Sequence, residues 1–151
     1  MKEITWKDLE VLYEYIRREI PAENYRAINS NDEVMQLYGN KVILALWAQG
    51  WPCMYDARRK VIFFPSTGYL SGIDRVNHAK ALLAIAHEIG HYLSHNNSKR
   101  AQELINKDKH SRTDAEREEI EALADEEASK LLKRLGFTER YQEIKAQLKW
   151  G

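Results

Sequence analysis

The stretch from about Asp74 to His95 carries apolar residues on almost every side of a predicted helix. One apolar stripe lies roughly opposite a pair of histidines and consists of Leu82, Ile85, Ala86, Ile89 and Leu93. Leu83, Ala84 and Gly90 add apolar or small groups nearer the histidines. This pattern predicts a largely buried helix, and its histidine face is not simply the side that meets solvent.

Two further helices and a pair of strands are predicted before this helix. The capping residues Thr5 and Ser30 open helices that run to about Ile20 and Ala48. The spacing of the hydrophobic residues then changes and predicts two short strands, Cys53–Tyr55 and Val61–Phe64, on either side of a polar turn. The residues 66–72 are predicted to form a loop.

The last third of the chain is predicted to be helical. A basic and polar stretch, 99–110, contains a short helical turn. Thr113 caps a helix that runs to Leu135, Gly136 follows as a C′ glycine, and Thr138 starts a short terminal helix. These elements predict one α+β domain spanning 1–151, with helices packed on one side of a small antiparallel sheet.

Composition restricts the function classes. The 151 residues, 44% of them hydrophobic, suffice for one domain with a core. The formal net charge is zero, so no direct binding of nucleic acid is expected. Cys53 is the only cysteine, which excludes an internal disulfide and a zinc cluster built from cysteines. Neither a signal peptide nor an apolar run long enough for a membrane is present, so a cytoplasmic protein is expected.

The segment His87-Glu88-Ile89-Gly90-His91 carries the most specific chemistry. Histidines at i and i+4 lie one turn apart on the same helix face, so their ring nitrogens can converge on one metal ion, and imidazole is a good zinc ligand. Glu88 lies about 100° round the helix from His87, where it misses the metal but can reach a metal-bound water. That is the placement of a general base in a zinc peptidase.

A catalytic zinc needs a third protein ligand and an open fourth position. A third histidine six residues after His91 is excluded, because Asn97 stands there. A glutamate from the following helix is the other common solution. Two glutamates, Glu121 and Glu127, flank the apolar stripe of that helix at about 60° on either side, so the helical wheel leaves both open.

From about Val61 to Leu132 the chain resembles the ImmA/IrrE family of metallopeptidase domains. The resemblance rests on the His-Glu-x-Gly-His helix with the further histidine His95. It rests also on the segment Glu121-Ala122-Leu123-Ala124-Asp125-Glu126-Glu127-Ala128-Ser129-Lys130-Leu131-Leu132. It implies that Glu121 is the third ligand of a zincin-like site holding one zinc per chain. It also implies a cytoplasmic endopeptidase that cleaves a helix-turn-helix repressor of a phage, mobile element or stress regulon.

One alternative function and two further residues accompany this prediction. His95 and Tyr69 are candidates for supporting the metal ligands or stabilising the transition state. The other interpretation of His95 is a residue near the helix C-terminus, where the helix dipole favours it. The other interpretation of Tyr69 is a packing residue. A non-catalytic zinc-binding interaction protein is the alternative function. Glu88 argues for catalysis, because a structural zinc site gains nothing from a carboxylate beside the metal.

Overall fold

The computed structural model describes residues 4–30, 32–33, 53–71, 78–137 and 146. Its α-helices are α1 (Trp6–Glu19), α2 (Thr67–Ser71), α3 (His78–Asn97), α4 (Lys99–Asn106) and α5 (Asp114–Leu132). Its strands are β1 (Tyr25–Ile28), β2 (Met54–Asp56) and β3 (Val61–Pro65). The chain divides into two compact units, 1–85 and 86–151, and the single-domain organisation stays a prediction.

Helix α1 begins where its capping residues predict. The backbone N–H of Thr5 donates to the carboxylate of Asp8 at 2.8 Å, which satisfies a donor that the helix itself leaves unpaired. Pro21 follows the last turn and cannot continue the helix. The face that the helical period predicts is buried, and it consists of Leu9, Leu12, Tyr13, Tyr15 and Ile16.

The first unit contains a three-stranded sheet in the order β1-β3-β2. Strands β2 and β3 form the predicted antiparallel pair, and Lys60 in the turn between them takes a φ of 58°. Strand β1 pairs with β3 in parallel, with Tyr25 opposite Ile62. The sheet is therefore mixed, and the predicted antiparallel sheet is wrong in this respect. Only Ile28 is buried in β1, so the four residues show no alternation from which a strand could be predicted.

Strand β3 occupies the centre of this sheet. Its two edges pair with β1 and β2, so β3 offers no free edge to which an extended peptide could add. Ile62, Phe63 and Phe64 are all buried. Because successive strand residues point to opposite faces, β3 is buried on both faces.

Helices pack against this sheet, which confirms the α+β class. The ring of Tyr13 lies 5.5 Å from that of Phe64, measured between centroids, and its hydroxyl donates to the carbonyl oxygen of Pro65. Burial raises the pKa of Tyr13, so this hydroxyl keeps its proton as a donor. Cys53 is buried just before β2, and its Sγ lies 3.7 Å from the carbonyl oxygen of Ala84 in α3.

Three segments differ from their predicted structure. The predicted loop 66–72 contains α2, because the Oγ of Ser66 accepts from the backbone N–H of Tyr69 at 3.1 Å and so starts a helical turn. The predicted short turn after Asn97 is the full helix α4, which the side chain of Ser98 caps. Helix α5 ends at Leu132 instead of Leu135, and a π-helical turn follows it.

Other helix boundaries are as predicted or lie outside the described residues. Thr113 caps α5, and Gly136 takes a φ of 96°, which favours glycine over any other residue. The predicted helix from Ser30 to Ala48 is described only at 32–33, and the start near Asp74 and the terminal helix from Thr138 are not described. Within the described ranges, no helix is long and apolar enough to cross a membrane.

Candidate metal centre

The second half of α3 presents His87 and His91 on one side of the helix. Their ring centroids lie 4.7 Å apart, and the ring planes are nearly perpendicular, at 87°. Both side chains are partly exposed, at 17% and 15%, whereas Ala86 and Ile89 beside them are fully buried. The predicted buried helix with a histidine pair at its partly open face is therefore present in the structure.

Helix α5 brings Glu121 to this pair. Its Oε2 lies 2.7 Å from Nε2 of His87 and 3.3 Å from Nε2 of His91. All three residues belong to the second unit. One carboxylate oxygen thus faces two imidazole nitrogens, and the three residues that the sequence analysis named as ligands lie together.

The structure distinguishes Glu121 from Glu127, the two candidate third ligands that the helical wheel left open. Glu127 lies on the other edge of α5 and pairs with Lys130 at 3.8 Å. The side chain of Glu121 is 60% exposed, so its predicted place at the buried edge of the helix is wrong. It reaches the histidines from the open side of the helix pair, because a glutamate side chain extends well beyond its own backbone.

The contacts with the histidines change the acidity of the groups involved. The hydrogen bonds from His87 and His91 hold the pKa of Glu121 far below its usual range. At His91, burial lowers the pKa, but the hydrogen bond to Glu121 and the charge of Glu88 outweigh it, so the net pKa lies above the ordinary 6.5. The carboxylate of Glu121 therefore stays ionised and acts as an acceptor.

These residues could hold a zinc ion. Two imidazole nitrogens and one carboxylate are a ligand set of catalytic zinc, and they leave a fourth position open. Metal–ligand bonds of about 2.0–2.2 Å place tetrahedral ligand atoms about 3.4 Å apart, so the observed 3.3 Å between Glu121 and His91 fits directly. The 2.7 Å contact between Glu121 and His87 would widen by roughly 0.7 Å. The buried Nδ1 of His87 has no hydrogen-bond partner among the described residues.

The carboxylate of Glu88 also lies close to the two histidines. One carboxylate oxygen of Glu88 and one ring nitrogen each of His87 and His91 lie within 4.8 Å of one another. These three residues form a group that could hold a metal ion, and the role of Glu88 as a general base stays a prediction.

Two ion pairs link α4 and its C-cap residue Lys107 to α5. The guanidinium of Arg100 donates to both carboxylate oxygens of Glu119, at 2.7 and 3.0 Å. Lys107 donates to Glu116 at 2.6 Å, and this bond, with the Thr113 backbone, lowers the pKa of Glu116 to about 2. The opposite charges on α4 and α5 could have indicated ion pairs between these helices, but the sequence alone does not show which charged residues pair.

The two further candidate residues have different surroundings. His95 is buried in the last turn of α3, one turn beyond His91. Tyr69 belongs to the first unit, and burial raises the pKa of its hydroxyl. The roles of both in catalysis stay predictions.

Comparison with known proteins adds no relative. No protein-family model, no curated protein and no solved structure matches the chain.

Proposed function

We propose that the chain is a zinc-dependent endopeptidase. The observation that carries the proposal is the convergence of Nε2 of His87 and Nε2 of His91 on one carboxylate oxygen of Glu121, with Glu88 beside them. A site with two histidines and one glutamate as ligands, next to a second carboxylate that does not bind the metal, is typical of catalytic zinc. A structural zinc site does not need this second carboxylate.

The proposed roles follow from the positions of the four residues. His87, His91 and Glu121 hold one zinc ion per chain. When bound, zinc would polarise the scissile carbonyl and make a water molecule acidic. Glu88 takes a proton from the attacking water, whose oxygen forms a bond to the carbonyl carbon. Glu88 then passes the proton to the leaving nitrogen as the peptide C–N bond breaks.

The proposed substrate is a cytoplasmic protein, namely a helix-turn-helix repressor or similar regulator of a phage, mobile element or stress regulon. This part of the proposal rests on the resemblance of two segments, 87–91 and 121–132, to ImmA/IrrE metallopeptidase domains. The zero formal net charge shows no basic excess of the kind that favours direct binding of DNA.

Metal analysis tests the zinc site on which the proposal depends. The purified protein should contain about one zinc per chain, because three ligands with an open position bind one ion. His87→Ala and His91→Ala should each remove it, whereas His110→Ala, a substitution of an exposed histidine, should not. Zinc retained at unchanged affinity in both site variants would rule out the assignment. Zinc binding without any proteolysis would favour the interaction protein of the same fold.

A further inference from the structure

Gly90 lies where α3 and α5 come closest. A Cβ built at Gly90 would collide with the backbone carbonyl oxygen of Ala124, lie 3.0 Å from the carbonyl carbon of that residue and 3.2 Å from the Cβ of Ala128. Ala124 and Ala128 are fully buried. The colliding atoms of Ala124 belong to a helix backbone, which cannot rotate away as a side chain can.

This contact lies one turn from the metal ligands on both helices. Gly90 follows His87 by three residues, and Ala124 follows Glu121 by three residues. Residues three apart on a helix lie on neighbouring positions of one face. The spacing between the two backbones at Gly90 therefore sets the distance from the histidine rings to the carboxylate of Glu121.

We infer that Gly90 is a positioning residue that fixes the metal-ligand geometry by allowing α5 to approach the backbone of α3. The inference rests on the proposed zinc site. Any larger residue at position 90 would have to push the helices apart by on the order of 1 Å to restore ordinary van der Waals separation. Metal–ligand bonds tolerate only about ±0.2 Å, so Glu121 would then bind in a strained conformation or leave the metal.

The test is the affinity for Zn²⁺ of Gly90→Ala, measured by competition with a chelator on folded protein. We expect binding about 10–100-fold weaker than in the wild type, as is typical when a residue that supports ligands is changed. The visible absorption of the Co²⁺-loaded protein should change in shape and intensity, because it reports the ligand geometry. A residue that served only stability would leave the spectrum unaltered.

Two controls separate position from stability. Gly68→Ala makes the same change in α2, where a Cβ meets only the Oγ of Ser66 at 3.9 Å. Leu131→Ala removes a buried side chain of α5 and destabilises the fold without adding an atom between the helices. Both should keep wild-type Zn²⁺ affinity. Should Gly90→Ala not fold, Ala128→Ser adds one atom to the same crossing, and its Zn²⁺ affinity then decides by the same comparison.

The outcomes distinguish this inference from the proposed function. Wild-type affinity and an unchanged Co²⁺ spectrum in Gly90→Ala would overturn the role of Gly90 and leave the zinc site intact. An equal loss of affinity in Leu131→Ala would also overturn it, because general destabilisation would then explain the effect. A wild-type protein that binds no Zn²⁺ would overturn both the site and the inference.

Discussion

The carboxylate of Glu121 lies 2.7 Å from Nε2 of His87, although 34 positions separate the two residues in the chain. The contact exists because α5 packs on α3 with Ala124 against Gly90, one turn beyond each of these residues. The packing register of the two helices thereby selects Glu121 from the many acidic residues of α5.

The third ligand is tested by comparing two glutamates of the same helix. Glu121→Ala should weaken zinc binding strongly, because it removes one of three protein ligands. Glu127→Ala should leave zinc affinity nearly intact, because Glu127 pairs with Lys130 on the other edge of α5. Competition with a chelator of known affinity measures both. A larger loss in Glu127→Ala than in Glu121→Ala would show that the helix register is wrong.

The metal-free protein should show a pH dependence that comes from the same contact. The pKa of Glu121 is lowered, so its contribution to stability is present above its ordinary value of 4.5 and is lost as the pH falls. The pKa of His91 is raised, so its contribution is fully present below 6.5 and is lost as the pH rises through the folded value. The stabilising interaction is therefore strongest between these limits.

Urea unfolding in the presence of a chelator measures this effect. The difference in unfolding free energy between the wild type and Glu121→Gln should be largest near pH 5.5 and smaller near pH 9. It should be modest throughout, because the side chain of Glu121 is 60% exposed and solvent screens its charge. A difference that grows steadily from pH 5.5 to pH 9 would contradict the assigned contact.

The start of α5 depends on Thr113. Its Oγ1 accepts from the backbone N–H of Glu116 at 3.1 Å, and the carboxylate of Glu116 accepts from the backbone N–H of Thr113 at 2.9 Å. Thr113→Ala should lower the free energy of unfolding by about 1 kcal/mol, the typical effect of losing such a cap. Ser111→Ala, a similar truncation at an exposed neighbouring position, is the control. Equal stability of both variants in chemical denaturation would argue against the cap.

Local signals in the sequence were sufficient for the elements that depend on neighbouring residues. The caps at Thr5 and Thr113 and the positive φ of Gly136 act over four residues or fewer, and the structure has all of them, although α5 ends before Gly136 can be its C′ residue. The histidine pair follows in the same way from the spacing of His87 and His91 on one helix. Each of these features is determined within one turn of helix, so a pattern in the sequence suffices to predict it.

Features that depend on distant parts of the chain were not predicted. Strand β1 is defined by its pairing with β3, more than thirty residues later, and its own four residues give no alternation. The helical wheel placed Glu121 and Glu127 equally, because only the packing of α3 on α5 distinguishes them. The role of Gly90 has the same origin, since a glycine inside a helix does not indicate which backbone approaches it.

The proposed catalysis depends on Glu88, which is expected to accept the proton of the attacking water and not to bind the metal. Glu88→Gln keeps the size and the hydrogen-bonding reach of the side chain but cannot accept a proton at neutral pH. Its zinc content should stay near one per chain, and its thermal unfolding should match that of the wild type. These two measurements establish that any loss of activity comes from chemistry.

Cleavage of a cognate protein by wild type and Glu88→Gln, at equal measured zinc content, is the most direct test. Helix-turn-helix repressors encoded beside the gene are the substrates to screen, and mass spectrometry of the products identifies a single cut bond. We predict that the wild type cleaves and that Glu88→Gln cleaves about 10²–10⁴-fold more slowly, the usual contribution of a general base. Cleavage by Glu88→Gln at the wild-type rate would contradict the proposed mechanism.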